Sequence, residues 1–132
     1  MHPGKLAFIS GAFFGLTGVI LGALGAHALE NVLSADQLGS FETAVRFQMY
    51  HGLFLLLLGL LAQQYFDRWI NLAIRAALVG TVLFSGSIYL LTLTDIQVGL
   101  VTPVGGVILM VGWGSLLGWA IRKKGTTNRE EG

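Results

Sequence analysis

Four long stretches of this chain carry no formal charge: residues 6–29, 47–66, 76–94 and 96–121. A helix rises ~1.5 Å per residue, so each stretch is long enough to cross a hydrocarbon core ~30 Å thick. Inside lipid every backbone N–H and C=O must find a partner within the protein, which leaves helices or a closed barrel. The ten-residue alternation of barrel strands is absent. The expected fold is therefore all-α, an integral membrane bundle of four transmembrane helices. They are placed at about 6–29, 35–66, 72–94 and 103–121, in one domain over 1–124 with a polar tail at 125–132.

Composition supports that class. Of 132 residues, 54% are hydrophobic and 11% charged, against ~25% charged in soluble domains. A net charge of +1 leaves no electrostatic footprint for nucleic acid. With no cysteine, a disulfide framework, a thiolate nucleophile and an iron–sulfur site are excluded. Ala26-His27-Ala28 has the small-x-small form of a signal cleavage site. The apolar run before it exceeds the ~7–15 residues of a signal peptide, so an uncleaved first helix is expected.

Glycine recurs in the first helix at Gly11, Gly15, Gly18, Gly22 and Gly25. At 100° per residue these positions share one narrow face. Helices in lipid associate through close packing rather than hydrophobic drive, and a glycine groove permits that approach. Packing within the chain's own bundle is the expected use; a homodimer seam of the G-x-x-x-G type is the alternative. Gly105, Gly106 and Gly112 on helix four are further packing candidates, and Gly114 is expected to resist a larger side chain as Gly18 and Gly22 do.

Ser34-Ala35-Asp36-Gln37 reads as a capping box that starts helix two ahead of the membrane. Glu42 and Arg46 then form an i, i+4 pair in the favourable order, expected as an ion pair. Asp67-Arg68-Trp69 with Asn71 reads as a short interfacial turn, and Thr102-Pro103 as an N-cap followed by proline at the first helical position. Lys5, Arg68, Arg75, Arg122, Lys123, Lys124 and Arg129 fall on one side of a four-helix topology, with Arg46 alone on the other. The positive-inside rule then puts both termini in the cytoplasm.

Uncharged polar residues gather toward the opposite side. His27 closes helix one, Gln48 and His51 share a face of helix two with Gly52 and Gly59, and Ser85 and Tyr89 share a stripe of helix three. Thr102 lies near the same leaflet. An outer-side polar cluster of His27, Gln48, His51, Ser85, Tyr89 and Thr102 is expected, with His51 within reach of Ser85 or Tyr89. His27 lies nearly opposite the glycine stripe, so the two cannot face one neighbour. Helix–helix hydrogen bonding is the plainer role for these residues. His27, Glu30, Glu42 and His51 are the residues from which a metal shell could be drawn, but no H-E-x-x-H pair exists, so no metal and no cofactor is expected.

Gly25-Ala26-His27, the block from Phe41 through Arg46-Phe47-Gln48 to Tyr50-His51, Phe84-Ser85-Gly86-Ser87-Ile88-Tyr89, Thr102-Pro103-Val104-Gly105-Gly106 and Gly112-Trp113 occur in that order. This ordered set resembles the YgdD/YwdK-like family of small membrane proteins, a domain-of-unknown-function family, over residues 4–121. The resemblance implies a four-helix protein of the bacterial inner membrane and brings no activity or catalytic residue. Charge-poor helices and the lack of a nucleophile–base pair point to a non-enzymatic accessory or scaffolding subunit. The expected partners are membrane lipid, other membrane-protein subunits or a second copy. An oligomeric small-solute transporter or channel component is the alternative, although ion coupling usually needs intramembrane carboxylates, and the four runs hold none.

Overall fold

A computed structural model describes residues 2–123, and the expected tail at 125–132 lies outside the described residues. The chain forms four helices: α1 (Pro3–Ala26), α2 (Ala35–Gln64), α3 (Arg68–Leu93) and α4 (Val101–Arg122). All four are long and apolar enough to cross a membrane. Successive helices pack as neighbours, α1 on α2, α2 on α3 and α3 on α4. The connections are short, so neighbours run antiparallel. α2 and α3 form the centre; α1 barely touches α3, and the backbone of α4 approaches only that of α3.

The helix ends correct the sequence reading at four points. α1 starts earlier than expected, because His2 Nδ1 accepts from the Gly4 N–H at 3.0 Å and Pro3 takes the first turn. It also stops at Ala26 rather than 29, where the chain turns over 27–33. α3 starts at Arg68, because Asp67 is its N-cap, accepting from the Trp69 N–H at 2.7 Å. The interfacial turn expected over Asp67-Arg68-Trp69 and Asn71 is thus the N-cap and first turn of this helix. α4 begins at Val101 with Leu100 as N-cap and no side-chain cap bond. Thr102 is inside the helix, and Pro103 is its third residue, still in the turn where an N–H has no intrahelical partner. The capping box at Ser34 and Gln37 is present in both directions, at 3.2 and 3.0 Å.

α1 and α2 meet through glycine. Buried Gly4, Gly11, Gly18 and Gly25 repeat every seven residues, a near-straight band along α1. A Cβ on Gly11 would stand 2.7 Å from the Gly52 carbonyl oxygen, one on Gly18 2.5 Å from Met49 Sδ, and one on Gly25 2.9 Å from the Phe41 ring. Gly52 and Gly59 return the contact from α2, against Gly11 and Gly4. The expected stripe is thus partly redrawn. Gly15 points into open space and Gly22 makes only ordinary contact with Val45, whereas Gly4 joins the seam. On the other side, Gly105 lets α4 close on α3: a Cβ there would fall 2.5 Å from the Phe84 nitrogen. Gly80 does the same from α3 against Leu109, while Gly106 and Gly112 sit at ordinary contact distances and Gly114 faces open space.

The interior divides along the membrane normal. Ala7, Phe14, Phe54, Leu55, Leu58, Ala62, Ile70, Ala73, Ile74 and Ala77 form a dry core. They come from the first half of α1, the second half of α2 and the first half of α3, hence from the end that carries the N-terminus. Gln48, Ser85, Ser87, Tyr89 and Thr102, which bond across helices, lie in the other half, with His51 and Trp113 near the middle.

Candidate functional site

Gln48 is the centre of the polar half. It is 5% exposed. Its amide nitrogen donates to the Phe14 carbonyl at 3.0 Å and to Thr17 Oγ1 at 2.7 Å, both on α1. Its amide oxygen accepts from the Tyr89 hydroxyl of α3 at 2.6 Å. The Phe14 carbonyl can only accept, which fixes the orientation of the amide. One side chain on α2 therefore ties three helices together. Thr17 passes the chain on, donating to the Phe13 carbonyl at 2.7 Å. The Tyr89 ring leans on Phe41, with centroids 5.3 Å apart.

Two more interhelical bonds join α2 to α3 and α3 to α4. Ser85 Oγ crosses from α3 to the Ala44 carbonyl of α2 at 2.7 Å. Ser87 donates to the Phe84 carbonyl at 2.9 Å and accepts from Thr102 Oγ1 of α4 at 2.5 Å. Hydroxyl pairs of this kind supply helix–helix adhesion in lipid, where an unpaired polar group has no water to turn to.

His51 does not meet Ser85 or Tyr89. Its Nδ1 lies 2.7 Å from the Phe47 carbonyl one turn back, and its Nε2 accepts from the Trp113 indole N–H at 3.0 Å. An indole N–H only donates and a carbonyl only accepts, so the imidazole is the neutral tautomer with its proton on Nδ1. Aromatic rings wall it in. Phe47 stacks at 5.9 Å and Phe54 stands edge-on at 6.2 Å. Phe54 in turn stacks flat on Trp113, 3.8 Å between centroids and 7° between planes. The expected single cluster is thus four separate groups. Gln48 joins Thr17 and Tyr89, Ser85 joins the Ala44 carbonyl, His51 joins Trp113, and Ser87 joins Thr102.

Two expected members fall away from the Gln48 network, and the separately expected ion pair is replaced. His27 is exposed at the C-cap of α1 and joins none of these groups. Thr102 belongs to the α3–α4 seam. The ion pair expected between Glu42 and Arg46 gives way to an Arg46 guanidinium that donates to the Thr43 hydroxyl at 3.4 Å, one turn back on an exposed face. Thr17, Ser87 and Trp113 were not singled out for these contacts. Thr17 shares the α1 face with Phe14, and Ser87 sits within the Phe84–Tyr89 block, but neither has a distinctive sequence setting.

Chemically the arrangement is neutral and self-satisfied. Among the described residues no buried side-chain nitrogen or oxygen lacks a hydrogen-bond partner, and no three His, Asp or Glu side chains gather into a metal-binding group. Among the described residues the buried serine hydroxyls are directed at carbonyls or another hydroxyl rather than at His51, so none of them is paired with it as a base. A lateral opening reaches Gln48 and Tyr89. Because α1 barely touches α3, a lateral cleft of about 280 Å³ lies between Phe13, Phe14 and Leu21 on one side and Val82 on the other, with Gln48 and Tyr89 in its lining.

No solved structure matches the chain. The chain is 44% identical over 112 residues to the UPF0382 membrane protein SSP2132 of Staphylococcus saprophyticus, covering 83% of this chain and 91% of that one. The UPF0382 membrane protein SAB0533 of Staphylococcus aureus is 42% identical over 110 residues, covering 83% and 89%. The UPF0382 inner membrane protein YgdD of Escherichia coli K12 is 38% identical over 121 residues, covering 91% and 92%. A family described as "Protein of unknown function (DUF423)" matches residues 21–106, which takes in Gln48, His51, Ser85, Tyr89 and Thr102. With four spanning helices and relatives aligned over nearly their whole length, the chain is a multi-pass membrane protein that belongs to the DUF423 family.

Proposed function

We propose that this protein is a non-enzymatic accessory or scaffolding subunit of a complex in the bacterial inner membrane, with both termini in the cytoplasm. One observation carries the reading: among the described residues every buried side-chain nitrogen and oxygen is already hydrogen-bonded within the chain. Gln48 spends its amide on α1 and α3, and His51 spends both ring nitrogens. A site for acid–base or nucleophilic chemistry needs groups left available to a substrate. The relatives named inner membrane proteins support the location. The orientation rests on Lys5, Arg68, Arg75, Arg122 and Lys123 at one end of the bundle, against Arg46 at the other. Lys124 and Arg129 lie outside the described residues.

Affinity purification of the full chain at native expression level, in mild detergent, tests the role. The expected result is a membrane protein recovered in constant stoichiometry. Repeated isolation of this chain alone would rule out the subunit role.

A second reading, an oligomeric small-solute transporter or channel component, starts from the lateral cleft, which is lined almost wholly by apolar surface but has Gln48 and Tyr89 at its wall. Solute flux in proteoliposomes separates the two. Flux that depends on Gln48 would favour transport over scaffolding.

A further inference from the structure

We propose that the end of the bundle where α2 and α4 finish and α3 begins binds the anionic headgroup of a membrane phospholipid, through Arg122 and Lys123. The inference rests on the four spans alone and is independent of the subunit role. Tyr65 is the C-cap of α2, Lys123 the C-cap of α4, and Trp69 the second residue of α3, so three helix ends meet here. The Lys123 ammonium lies 4.3 Å from the Tyr65 ring centroid and 5.3 Å from that of Trp119, and it donates to the Tyr65 hydroxyl at 2.5 Å. The Arg122 guanidinium carbon lies 4.6 Å over the Trp69 ring. Tyr65 and Trp119 brace each other edge to face at 5.2 Å.

Each cation is thus held against an aromatic face while its residue stays exposed. That holds the long side chains in place before a ligand arrives, and less rotamer freedom is lost on binding. Lys123 keeps two N–H donors beyond the one given to Tyr65, and a guanidinium grips phosphate oxygens in pairs.

Charge selects the class of ligand. This end carries Lys5, Arg68, Arg75, Arg122 and Lys123 and, among the described residues, one carboxylate, Asp67, which is occupied in capping α3. The far end carries Glu30, Asp36, Glu42 and Asp95 with a single Arg46. Depth selects the source. Tryptophan and tyrosine at the ends of spanning helices sit at headgroup level. The anion available at that level, in a fixed position and at high local concentration, is the phosphate of a lipid.

Tryptophan quenching by brominated lipid tests this, with the full chain reconstituted in vesicles. Trp69 and Trp119 are the reporters, in a Trp113→Phe background. Brominated phosphatidylglycerol is compared with brominated phosphatidylcholine at equal mole fraction. The expected association preference for phosphatidylglycerol is about fivefold for each cation engaged. Arg122→Gln with Lys123→Gln should abolish most of it, Arg122→Lys with Lys123→Arg should keep it, and Lys5→Gln with Arg68→Gln should change it little. Equal quenching by the two lipids would overturn the proposal. So would a preference that survives in the Arg122→Gln, Lys123→Gln protein, or one erased by millimolar inorganic phosphate at constant ionic strength.

Discussion

The Trp113 indole donates to His51 Nε2 at 3.0 Å, joining the middle of α4 to the middle of α2, while the Lys123–Tyr65 bond joins their C-caps. The backbones of those helices stay apart, so α4 meets α2 through side chains, this bond and the flat stack of Trp113 on Phe54 among them. Trp113 is itself 48% exposed, a clasp laid over the surface rather than a plug in the core.

The hydrogen bond and the stack can be separated. Trp113→Phe removes the N–H and keeps a ring for Phe54. Interhelical bonds in membranes average ~0.6 kcal/mol, and that is the expected loss. Trp113→Ala also removes the stack, for a further ~0.5–1.5 kcal/mol. Unfolding in mixed micelles of increasing denaturing detergent measures both. Equal losses from the two variants would mean that the ring contact contributes nothing.

Gln48 should be the most sensitive polar position. Replacing it with leucine leaves the Tyr89 hydroxyl without its acceptor and Thr17 without its donor, in a setting where water is scarce. The expected cost is about 1–3 kcal/mol. Tyr89→Phe removes one bond and leaves no buried donor stranded, so it should cost nearer ~0.6 kcal/mol. The same micelle titration ranks them, and Tyr89→Phe proving the costlier change would contradict the bridging role of Gln48.

Orientation has a direct readout. With both termini cytoplasmic, reporter fusions after Lys124 and within 67–71 should score cytoplasmic, and fusions at 34–36 and 97–99 external. A cytoplasmic score at 97–99 cannot be reconciled with four spans.

The number of helices and the glycine-mediated closeness of α1 were legible in the sequence because both follow from composition and spacing. Pairing was less so. Gln48, Ser85 and Tyr89 could be placed on inward faces, and the α2–α3 bonds they were expected to make are present, though through Ala44 and Gln48 rather than His51. The reason is rotational. His51 and Gln48 are three residues apart on α2, 300° around the helix, or 60° the short way. That difference turns one toward α1 and α3 and the other toward α4. Helix-start signals misled for a related reason. Asp67 and His2 cap helices with local side-chain bonds, and each resembles ordinary loop polarity until the backbone is seen.

The glycines supply the sharpest contrast. A methyl group on Gly11 would meet the Gly52 carbonyl at 2.7 Å, and one on Gly105 would meet the Phe84 backbone at 2.5 Å. Backbone cannot swing aside as a side chain can, so Gly11→Ala and Gly105→Ala must push whole helices apart, at about 1–3 kcal/mol each. Gly18→Ala meets the flexible Met49 side chain instead and should cost less. Gly15→Ala and Gly114→Ala meet nothing within 4 Å. Both should be neutral or raise stability by up to ~1 kcal/mol, because alanine is the better helix former. Thermal stability in detergent orders the five variants. Gly15→Ala destabilising as much as Gly11→Ala would place the α1–α2 seam on a different face from the one that Gly4, Gly11, Gly18 and Gly25 define.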